Sequence, residues 1–489
     1  MGNSSHITME RSIAGRLDLL YPESPSYPSE RPLLLLTCLF MWELCVLVIS
    51  VAIYAKGDHP ITALFSGISG MLQLAVSVAF LIAQVVILHQ YLASTRLRSR
   101  RFRMVMIINI VMVLCILATA ESVVRAGTRG ATEGEIWRWR VLVPKSWEKV
   151  ALYETELLDQ GARRLSYLTY DDLMGWTNAP NKRSANGLYY SSLEGIRAPH
   201  EGVSFSKSTK KTRIALVGDS FTFGEDVTYE QSWGNLLEKA LGPDYEVLNF
   251  GVGGYGVDQA YLRYEKDVRQ WKPKIVIFSL ISDDVERSMR LYEVLNPGWL
   301  DFPFSKPRFI LRDGNLKKIN VPPLTPGEIF SRGSIAELPF LEYDRGYKPS
   351  LWQSSFIQHS YFARAVMTLF PPWEAGSSDT SDSALVSVNA SILKAFAQMA
   401  ESERTIPILV YFPQKNAAEL SGTTHRLSSG INVLQEAGMP YTDLSSCLMP
   451  LKPTERFADG NYHYSPQGNA KVAQCLTKVV NDALAASTL

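Results

Sequence analysis

The sequence predicts a three-layer α/β/α domain with a mostly parallel sheet, preceded by three transmembrane helices. From Arg213 onward, strand-like apolar runs alternate with helical patterns, an order typical of parallel sheets with helices on both faces. Residues 33–121 contain three long apolar runs, and a chain of 489 residues has room for both parts. The formal net charge of +1 argues against nucleic acid as a partner.

The apolar runs cover residues 33–55, 61–88 and about 104–120. Each can cross a bilayer core of about 30 Å, the third only just. The arginines at positions 96, 98, 100, 101 and 103 lie between the second and third runs, and the positive-inside rule places them in the cytoplasm. The sequence therefore predicts a cytoplasmic segment at 1–31, three spans at 32–121 in the lipid bilayer of an inner membrane, and a periplasmic remainder.

Residues 122–164 are predicted to form a helical connector, and residues 165–489 the α/β domain. Apolar runs predict strands at 213–217, 247–250, 274–281 and 406–412, and a further strand is predicted at 440–444, between two helices. Apolar residues at helical spacing predict helices at 231–241, 257–271, 390–401, 431–437 and from Gln467 onward. An insertion at about 290–385 interrupts the alternation, with a hairpin predicted at Asp313-Gly314 and a loop at 377–383.

Polar side chains follow three of the predicted strands and precede the last helix. They belong to Gly218-Asp219-Ser220, the glycine-rich segment 249–254, Asp283-Asp284, and the segment 459–468 that contains His463. Open parallel sheets place their sites at the carboxyl ends of the strands. We therefore expect a hydroxyl, an imidazole and carboxylates to meet at one edge, which is what nucleophilic acyl transfer requires.

These four segments, in this order, resemble the SGNH (GDSL-type) hydrolase family over roughly residues 165–487. The resemblance implies that Ser220 is the nucleophile and that His463 and Asp459 complete the triad. It also implies that the backbone N–H groups of Ser220 and Gly254 bind the oxyanion. Asp283 stands where the family has an Asn side chain as a further oxyanion donor.

The chain departs from the family pattern at two positions. Three residues separate Asp459 from His463, where the family usually has two. Asp283 cannot donate when it is ionised, and the loss of one oxyanion donor typically costs about 10² to 10³ in rate. Asp283 therefore points away, is protonated, or makes catalysis slow. We expect Asp219 to fix the turn and Asn249 to bind backbone groups, so that neither acts on the substrate.

Two alternatives remain open from the sequence. The segment 251–256 also fits the G-x-G-x-x-G pattern of dinucleotide-binding folds, although it follows the second strand and leaves His463 unexplained. A catalytically degenerate domain that binds an envelope polymer or a membrane partner through the insertion is the other alternative. No Cys/His set has zinc spacing, so the sequence predicts neither a metal nor a cofactor.

The predicted function is that of a serine ester hydrolase or acyl-ester transferase outside the cytoplasmic membrane. An ester-bearing substrate is expected, and the location suggests the O-acyl groups of cell-envelope glycans. Cys447 and Cys475 both fall in the predicted outer domain and can pair in an oxidising compartment.

Overall fold

The computed structural model describes most of the chain after residue 99. The described residues are 100–132, 134–137, 140–159, 167–296, 302–353, 359–370, 378–415, 428–460 and 462–487. They fall into two compact units, and each is described by itself.

The smaller unit contains helix Arg100–Ala126 and helix Tyr361–Leu369. The Glu121 carboxylate joins the two helices, because it accepts hydrogen bonds from the N–H groups of Tyr361 (3.1 Å) and Phe362 (2.9 Å). In the described part of the chain, no helix is both long enough and apolar enough to cross a bilayer. The third predicted span lies within the first of these helices and is not confirmed. The two earlier spans lie outside the described residues.

The predicted helical connector contains strands as well as a helix. Short strands cover Thr128–Ala131, Gly134–Trp137 and Arg140–Val141, and the helix covers Trp147–Asp159. The prediction of helix at Ile136 is therefore wrong, since Ile136 pairs with Val141 in an antiparallel ladder. The helix begins at Trp147, which belongs to the larger unit, and the Trp147 ring stacks on Phe330 of the same unit with 6.0 Å between ring centroids.

The larger unit is built on a five-stranded, all-parallel sheet. Its spatial order is β5-β4-β3-β1-β2, and the predicted α/β class is confirmed. In chain order the strands are β1 (Thr212–Val217), β2 (Tyr245–Asn249), β3 (Ile275–Leu280), β4 (Ile406–Tyr411) and β5 (Tyr441–Asp443).

Helices cover both faces of this sheet because its strands are apolar on both faces. Ile214 and Leu216 pack in one core, while Ala215 and Val217 pack in the other. The helices are α1 (Ser220–Phe223), α2 (Trp233–Leu241), α3 (Val257–Arg263), α4 (Ser282–Arg287), α5 (Asp382–Ser402), α6 (Ser429–Ala437) and α7 (Pro466–Ala486). Helices α2 and α7 cover the first face, and α3, α5 and α6 cover the second.

The predicted hairpin in the insertion is confirmed. Strand Arg308–Arg312 pairs antiparallel with strand Asn315–Ile319. Asp313 and Gly314 turn the chain between them, both at positive φ (52° and 77°). The remaining short helices of the larger unit are Tyr264–Val268, Arg269–Trp271, Glu293–Leu295, Pro326–Phe330, Ile335–Glu337, Leu341–Tyr343, Pro349–Leu351, Ser378–Thr380, Ser445–Leu448 and Pro453–Arg456.

The segment before β1 forms two small antiparallel pairs, and a disulfide closes the C-terminal part of the unit. The pairs are Leu168–Asp171 with Gly175–Asn178, and Tyr190–Ser191 with Arg197–Ala198. Cys447 and Cys475 are bonded and link the short helix Ser445–Leu448 to α7.

Candidate active site

Ser220 stands at the first position of α1, directly after β1. The turn into α1 requires glycine at position 218, because a Cβ there would lie 2.1 Å from Thr222 Oγ1. The Asp219 carboxylate then caps the helix and accepts a hydrogen bond from Phe221 N–H at 2.9 Å. The prediction that Asp219 fixes the turn is confirmed. As a result, Ser220 lies at the carboxyl end of a central strand and lines a cavity of about 1020 Å³.

His463 lies between the short helix Pro453–Arg456 and α7. Ser465 caps α7 by accepting a hydrogen bond from Gly468 N–H at 3.0 Å. A side chain at position 468 would collide with the Arg456 carbonyl oxygen, 2.2 Å from the ideal Cβ. The Ser-Pro-x-Gly pattern therefore fixes the start of α7 close against Arg456. This places the His463 ring against Phe221, with 5.1 Å between ring centroids.

Ser220, His463 and Asp226 form a hydrogen-bonded chain. His463 Nε2 is 2.9 Å from Ser220 Oγ, and His463 Nδ1 is 2.8 Å from Asp226 Oδ2. This is the order of hydroxyl, imidazole and carboxylate that activates a serine nucleophile. Burial disfavours the imidazolium, but the hydrogen bond to Asp226 and the charge of Glu225 outweigh it. The pKa of His463 therefore lies above its ordinary value.

The carboxylate that contacts His463 is Asp226, whereas the sequence had pointed to Asp459. Asp459 lies in an exposed turn that closes on itself, since Ala458 N–H donates to the His463 carbonyl oxygen at 2.9 Å. Gly460 turns the chain there with φ of 73°. The extra residue between Asp459 and His463 lengthens this turn, and the structure does not bring the Asp459 carboxylate to Nδ1.

Asp226 lies far in the chain from the segment 459–468, from which the sequence predicts the triad acid. It lies six residues after Ser220, in a loop that begins where α1 ends at Gly224. Its backbone is left-handed, with φ of 68°, a conformation that Asp tolerates better than most residues. Its N–H donates to the Tyr189 hydroxyl at 2.9 Å. The adjacent acids Glu225-Asp226 after Gly224 were the available signal.

The glycine-rich segment after β2 lies against the nucleophile turn. Asn249 Nδ2 donates to the Thr222 carbonyl oxygen at 2.9 Å, and its Oδ1 accepts from Gly251 N–H at 3.0 Å. The prediction that Asn249 binds backbone groups is confirmed. Gly254, at φ of 81°, lines the cavity together with Ser220. In the described part of the chain, the N–H groups of Ser220 and Gly254 have no hydrogen-bond acceptor, so both are available to an oxyanion.

Asp283 lines the same cavity, and its side chain is exposed at the start of α4. The neighbouring Asp284 is buried and accepts a hydrogen bond from Arg287 Nη1 at 2.7 Å. Arg287 also lies 3.4 Å from the Asp219 carboxylate. Burial opposes the guanidinium charge, but these two carboxylates outweigh it and raise the pKa of Arg287. A charged arginine, which the sequence analysis did not single out, thus borders the cavity.

Glu225 adds a second carboxylate beside the imidazole. Its Oε2 is 3.7 Å from His463 Nε2, on the nitrogen that contacts Ser220. Six aromatic side chains line the rest of the cavity wall, and amide, hydroxyl and aliphatic groups lie among them. These residues include Tyr167, Asn178, Ser184, Asn186, Tyr189, Phe221, Phe223, Phe302 and Tyr462.

Residues 214–298 match the family of GDSL-like lipases and acylhydrolases. The "Uncharacterized lipoprotein YqeF" of Bacillus subtilis (strain 168) is 33% identical over 76 residues, which are 14% of this chain and 31% of that protein. The chain thus spans about a third of that relative's length.

Similar solved structures include a lipolytic protein of the G-D-S-L family from Desulfitobacterium hafniense, with 17% identity and a TM-score of 0.29 over 55% of this chain and 99% of that chain. A catalytic mutant of an acetylxylan esterase from Geobacillus stearothermophilus has 14% identity and a TM-score of 0.30, over 56% and 95%. The family match, on a parallel α/β sheet with Ser220 at a strand end, supports a GDSL/SGNH hydrolase domain in this chain.

Proposed function

We propose that this chain is a serine ester hydrolase or acyl-ester transferase. The observation that carries the proposal is the hydrogen-bonded chain from Ser220 Oγ through His463 to Asp226. These three groups lie at the carboxyl edge of a parallel sheet and open into a cavity large enough for a substrate. The dinucleotide alternative is not supported, because Gly251 packs against the Phe223 backbone and Val252 N–H donates to the Gly218 carbonyl oxygen at 3.1 Å, so the start of the segment holds the turn that carries Ser220.

In the first step, Ser220 Oγ attacks the ester carbonyl carbon, and its proton passes to His463 Nε2. Asp226 holds Nδ1 and stabilises the imidazolium that forms. The N–H groups of Ser220 and Gly254 donate to the carbonyl oxygen as it becomes an oxyanion. When the C–O bond to the leaving alcohol breaks, His463 returns the proton to that alcohol, and the acyl group remains on Ser220.

In the second step, water or an acceptor hydroxyl attacks the acyl carbon, and its proton passes to His463 Nε2. The bond from carbon to Ser220 Oγ then breaks, and His463 returns the proton to Ser220. Attack by water is hydrolysis, and attack by an acceptor hydroxyl is acyl transfer. The same residues support both reactions.

Asp283 affects the efficiency of this mechanism. Its exposed carboxylate is well hydrated, so solvent screens its repulsion of the oxyanion. We infer that two backbone donors suffice for turnover and that Asp283 does not serve as the third. A degenerate domain that only binds its ligand is the competing function, and Asp283 is the feature that favours it.

For the substrate, we propose O-acyl groups of cell-envelope glycans. The aromatic walls of the cavity offer flat apolar surfaces, and Asn178, Ser184 and Asn186 place polar side chains among them. Such a combination suits a sugar ring, which has apolar faces and hydroxyl edges. Tyr462, with 77% of its surface exposed, extends this wall toward solvent.

For the location, we propose attachment to the inner membrane through the apolar runs before residue 122, with the hydrolase domain in the periplasm. The arginine-rich loop and the positive-inside rule support this orientation. The Cys447–Cys475 disulfide supports an oxidising compartment.

The test of the activity is hydrolysis of a short-chain aryl ester by the full chain purified in detergent. Ser220→Ala and His463→Ala are each expected to lower kcat by at least about 10³-fold, and the double variant little more, because the two groups act as a unit. A fluorophosphonate should label the wild type and fail to label Ser220→Ala.

The pH profile gives a second readout of the same enzyme. The carboxylates of Asp226, Glu225 and Asp219 all raise the pKa of His463. Only neutral His463 can accept the serine proton, so kcat/KM should fall as the pH drops through this raised pKa. A folded wild type that shows neither turnover nor labelling would favour the binding-only function instead.

A further inference from the structure

The Glu225 carboxylate lies beside His463 Nε2, the atom that exchanges a proton with the attacking hydroxyl and with the leaving alcohol in the proposed reaction. Its Oε2 lies 3.7 Å from His463 Nε2, which in turn lies 2.9 Å from Ser220 Oγ. The same Oε2 lies 3.5 Å from the place where a Cβ on Gly253 would stand, so it sits over the segment that carries the Gly254 N–H. The Glu225 side chain is 36% exposed and lines the cavity.

Glu225 has unused capacity to accept hydrogen bonds. Among the described residues, its carboxylate accepts no hydrogen bond, and its only ion-pair partner is His463. His463 Nε2 exchanges its proton with Ser220 and with the incoming hydroxyl, so it cannot donate a hydrogen bond to Glu225 throughout the reaction. The adjacent Asp226 is occupied at Nδ1. The two neighbouring acids therefore have different tasks, and that of Glu225 lies on the substrate side.

The geometry sets a requirement on the attacking group. A hydroxyl that gives its proton to His463 Nε2 lies within about 3 Å of that nitrogen. Because Nε2 and the Glu225 oxygen are 3.7 Å apart, a group at this position can contact both. Water can donate one hydrogen to each. A simple alcohol has one hydrogen and must give it to His463, whereas a vicinal diol can give its second hydroxyl hydrogen to Glu225.

We propose that Glu225 is a specificity-determining residue that selects water and vicinal diols over simple alcohols as partners of the acyl group. This inference rests on the proposed esterase function and deepens it. The leaving alcohol occupies the same position in the first step, by microscopic reversibility. Esters of one hydroxyl of a vicinal diol, as in a partly acylated sugar ring, are therefore the favoured substrate class.

The size of the preference follows from the hydrogen bond. A hydrogen bond to a charged acceptor is stronger than one to a neutral acceptor, and the partial exposure of Glu225 weakens it. We therefore expect a preference of about tenfold in kcat/KM.

The test compares 2-hydroxyethyl acetate with propyl acetate, two esters of nearly equal size that differ in one hydroxyl. For the full chain in detergent, we expect kcat/KM to be about tenfold higher for the hydroxyethyl ester. Glu225→Leu should bring this ratio close to one. Glu230→Leu, which removes an exposed acid five residues away, should leave the ratio as in wild type.

A second measurement needs no variant. With an activated aryl acetate as donor and equal concentrations of ethylene glycol and 1-propanol, acetyl transfer to the glycol should exceed transfer to propanol by a similar factor. Equal kcat/KM for the two esters in wild type, or an unchanged ratio in Glu225→Leu, would overturn the role of Glu225 and leave the esterase function standing. An absence of turnover on any ester would overturn both.

Discussion

Asp226 combines an uncommon backbone conformation with a defined chemical role. With φ of 68°, it occupies the left-handed region that most side chains avoid. The conformational free-energy cost of this backbone geometry is small, because Asp is among the few residues that tolerate it. In return, the chain reverses directly after α1, and the carboxylate reaches His463 Nδ1 at 2.8 Å. The proposed nucleophile and the proposed triad acid therefore come from one short segment, residues 220–226.

The two candidate acids can be separated by matched substitutions. Asp226→Asn should lower kcat by about 10³- to 10⁴-fold, because the amide no longer fixes the productive imidazole tautomer or stabilises its charge. Asp459→Asn should leave kcat close to that of wild type, since the Asp459 side chain is exposed in its own turn. Steady-state kinetics on an aryl ester measures both. The opposite pattern would restore Asp459 as the triad acid.

At the scale of elements, the loop 224–227 is supported by a cluster of three aromatic residues, Tyr167, Tyr189 and Phe223, together with Arg197. The buried Arg197 guanidinium donates to the Val227 carbonyl oxygen at 2.7 Å and lies 4.2 Å from the centre of the Phe223 ring. In the described part of the chain its Nε and Nη1 have no hydrogen-bond acceptor. Burial consequently lowers the pKa of Arg197 to about 10, and it remains charged at neutral pH.

Most of this cluster comes from the segment before β1, outside the family match that begins at residue 214. Tyr189 accepts the hydrogen bond from Asp226 N–H at 2.9 Å. Burial raises the pKa of Tyr189 to about 12, so its hydroxyl stays protonated. The segment 167–198 therefore supports the loop 224–227, which carries the proposed triad acid.

Removal of the Tyr189 hydroxyl tests that support. Tyr189→Phe leaves Asp226 N–H without its acceptor, at a cost of about 1 to 3 kcal/mol, and should lower kcat by about tenfold with a smaller change in KM. Tyr190→Phe, at the neighbouring half-exposed tyrosine, is the control and should retain the wild-type kcat. Circular dichroism would check that both variants are folded. A Tyr189→Phe enzyme with unchanged kcat would mean that the loop holds Asp226 by itself.

At the scale of the whole molecule, the hydrolase domain follows a long apolar N-terminal region. The disulfide closes a loop across 28 positions, and a loop of this length is expected to stabilise the fold by about 3 to 4 kcal/mol. A domain that relies on this bond is best suited to an oxidising compartment. The disulfide is therefore consistent with the proposed periplasmic location.

The proposed topology predicts the behaviour of reporter fusions. Alkaline phosphatase, which is active only outside the cytoplasm, should be active when fused after residue 130 and inactive when fused at Ser99. A reporter that is active only in the cytoplasm should give the reverse pattern at both positions, which controls for expression. Alkaline phosphatase activity at Ser99 alone would place the hydrolase domain in the cytoplasm.

The sequence by itself was sufficient to predict the parallel sheet and the two site residues Ser220 and His463. Four of the five strands contain a local apolar run, and only the edge strand β5 does not. Parallel strands bring their carboxyl ends to one edge whatever the loops do. The convergence of Ser220 and His463 follows from that rule, together with the glycines at 218 and 468 that permit close packing.

Only the tertiary structure decided which carboxylates meet the imidazole. Sequence distance favoured Asp459, but a self-closing turn keeps it in solvent. Asp226 reaches His463 through a single left-handed residue and a hydrogen bond to Tyr189, 37 positions away in the chain. Glu225 reaches the other nitrogen through the same turn. No periodic pattern encodes the direction of such a loop, because contacts that are remote in sequence determine it.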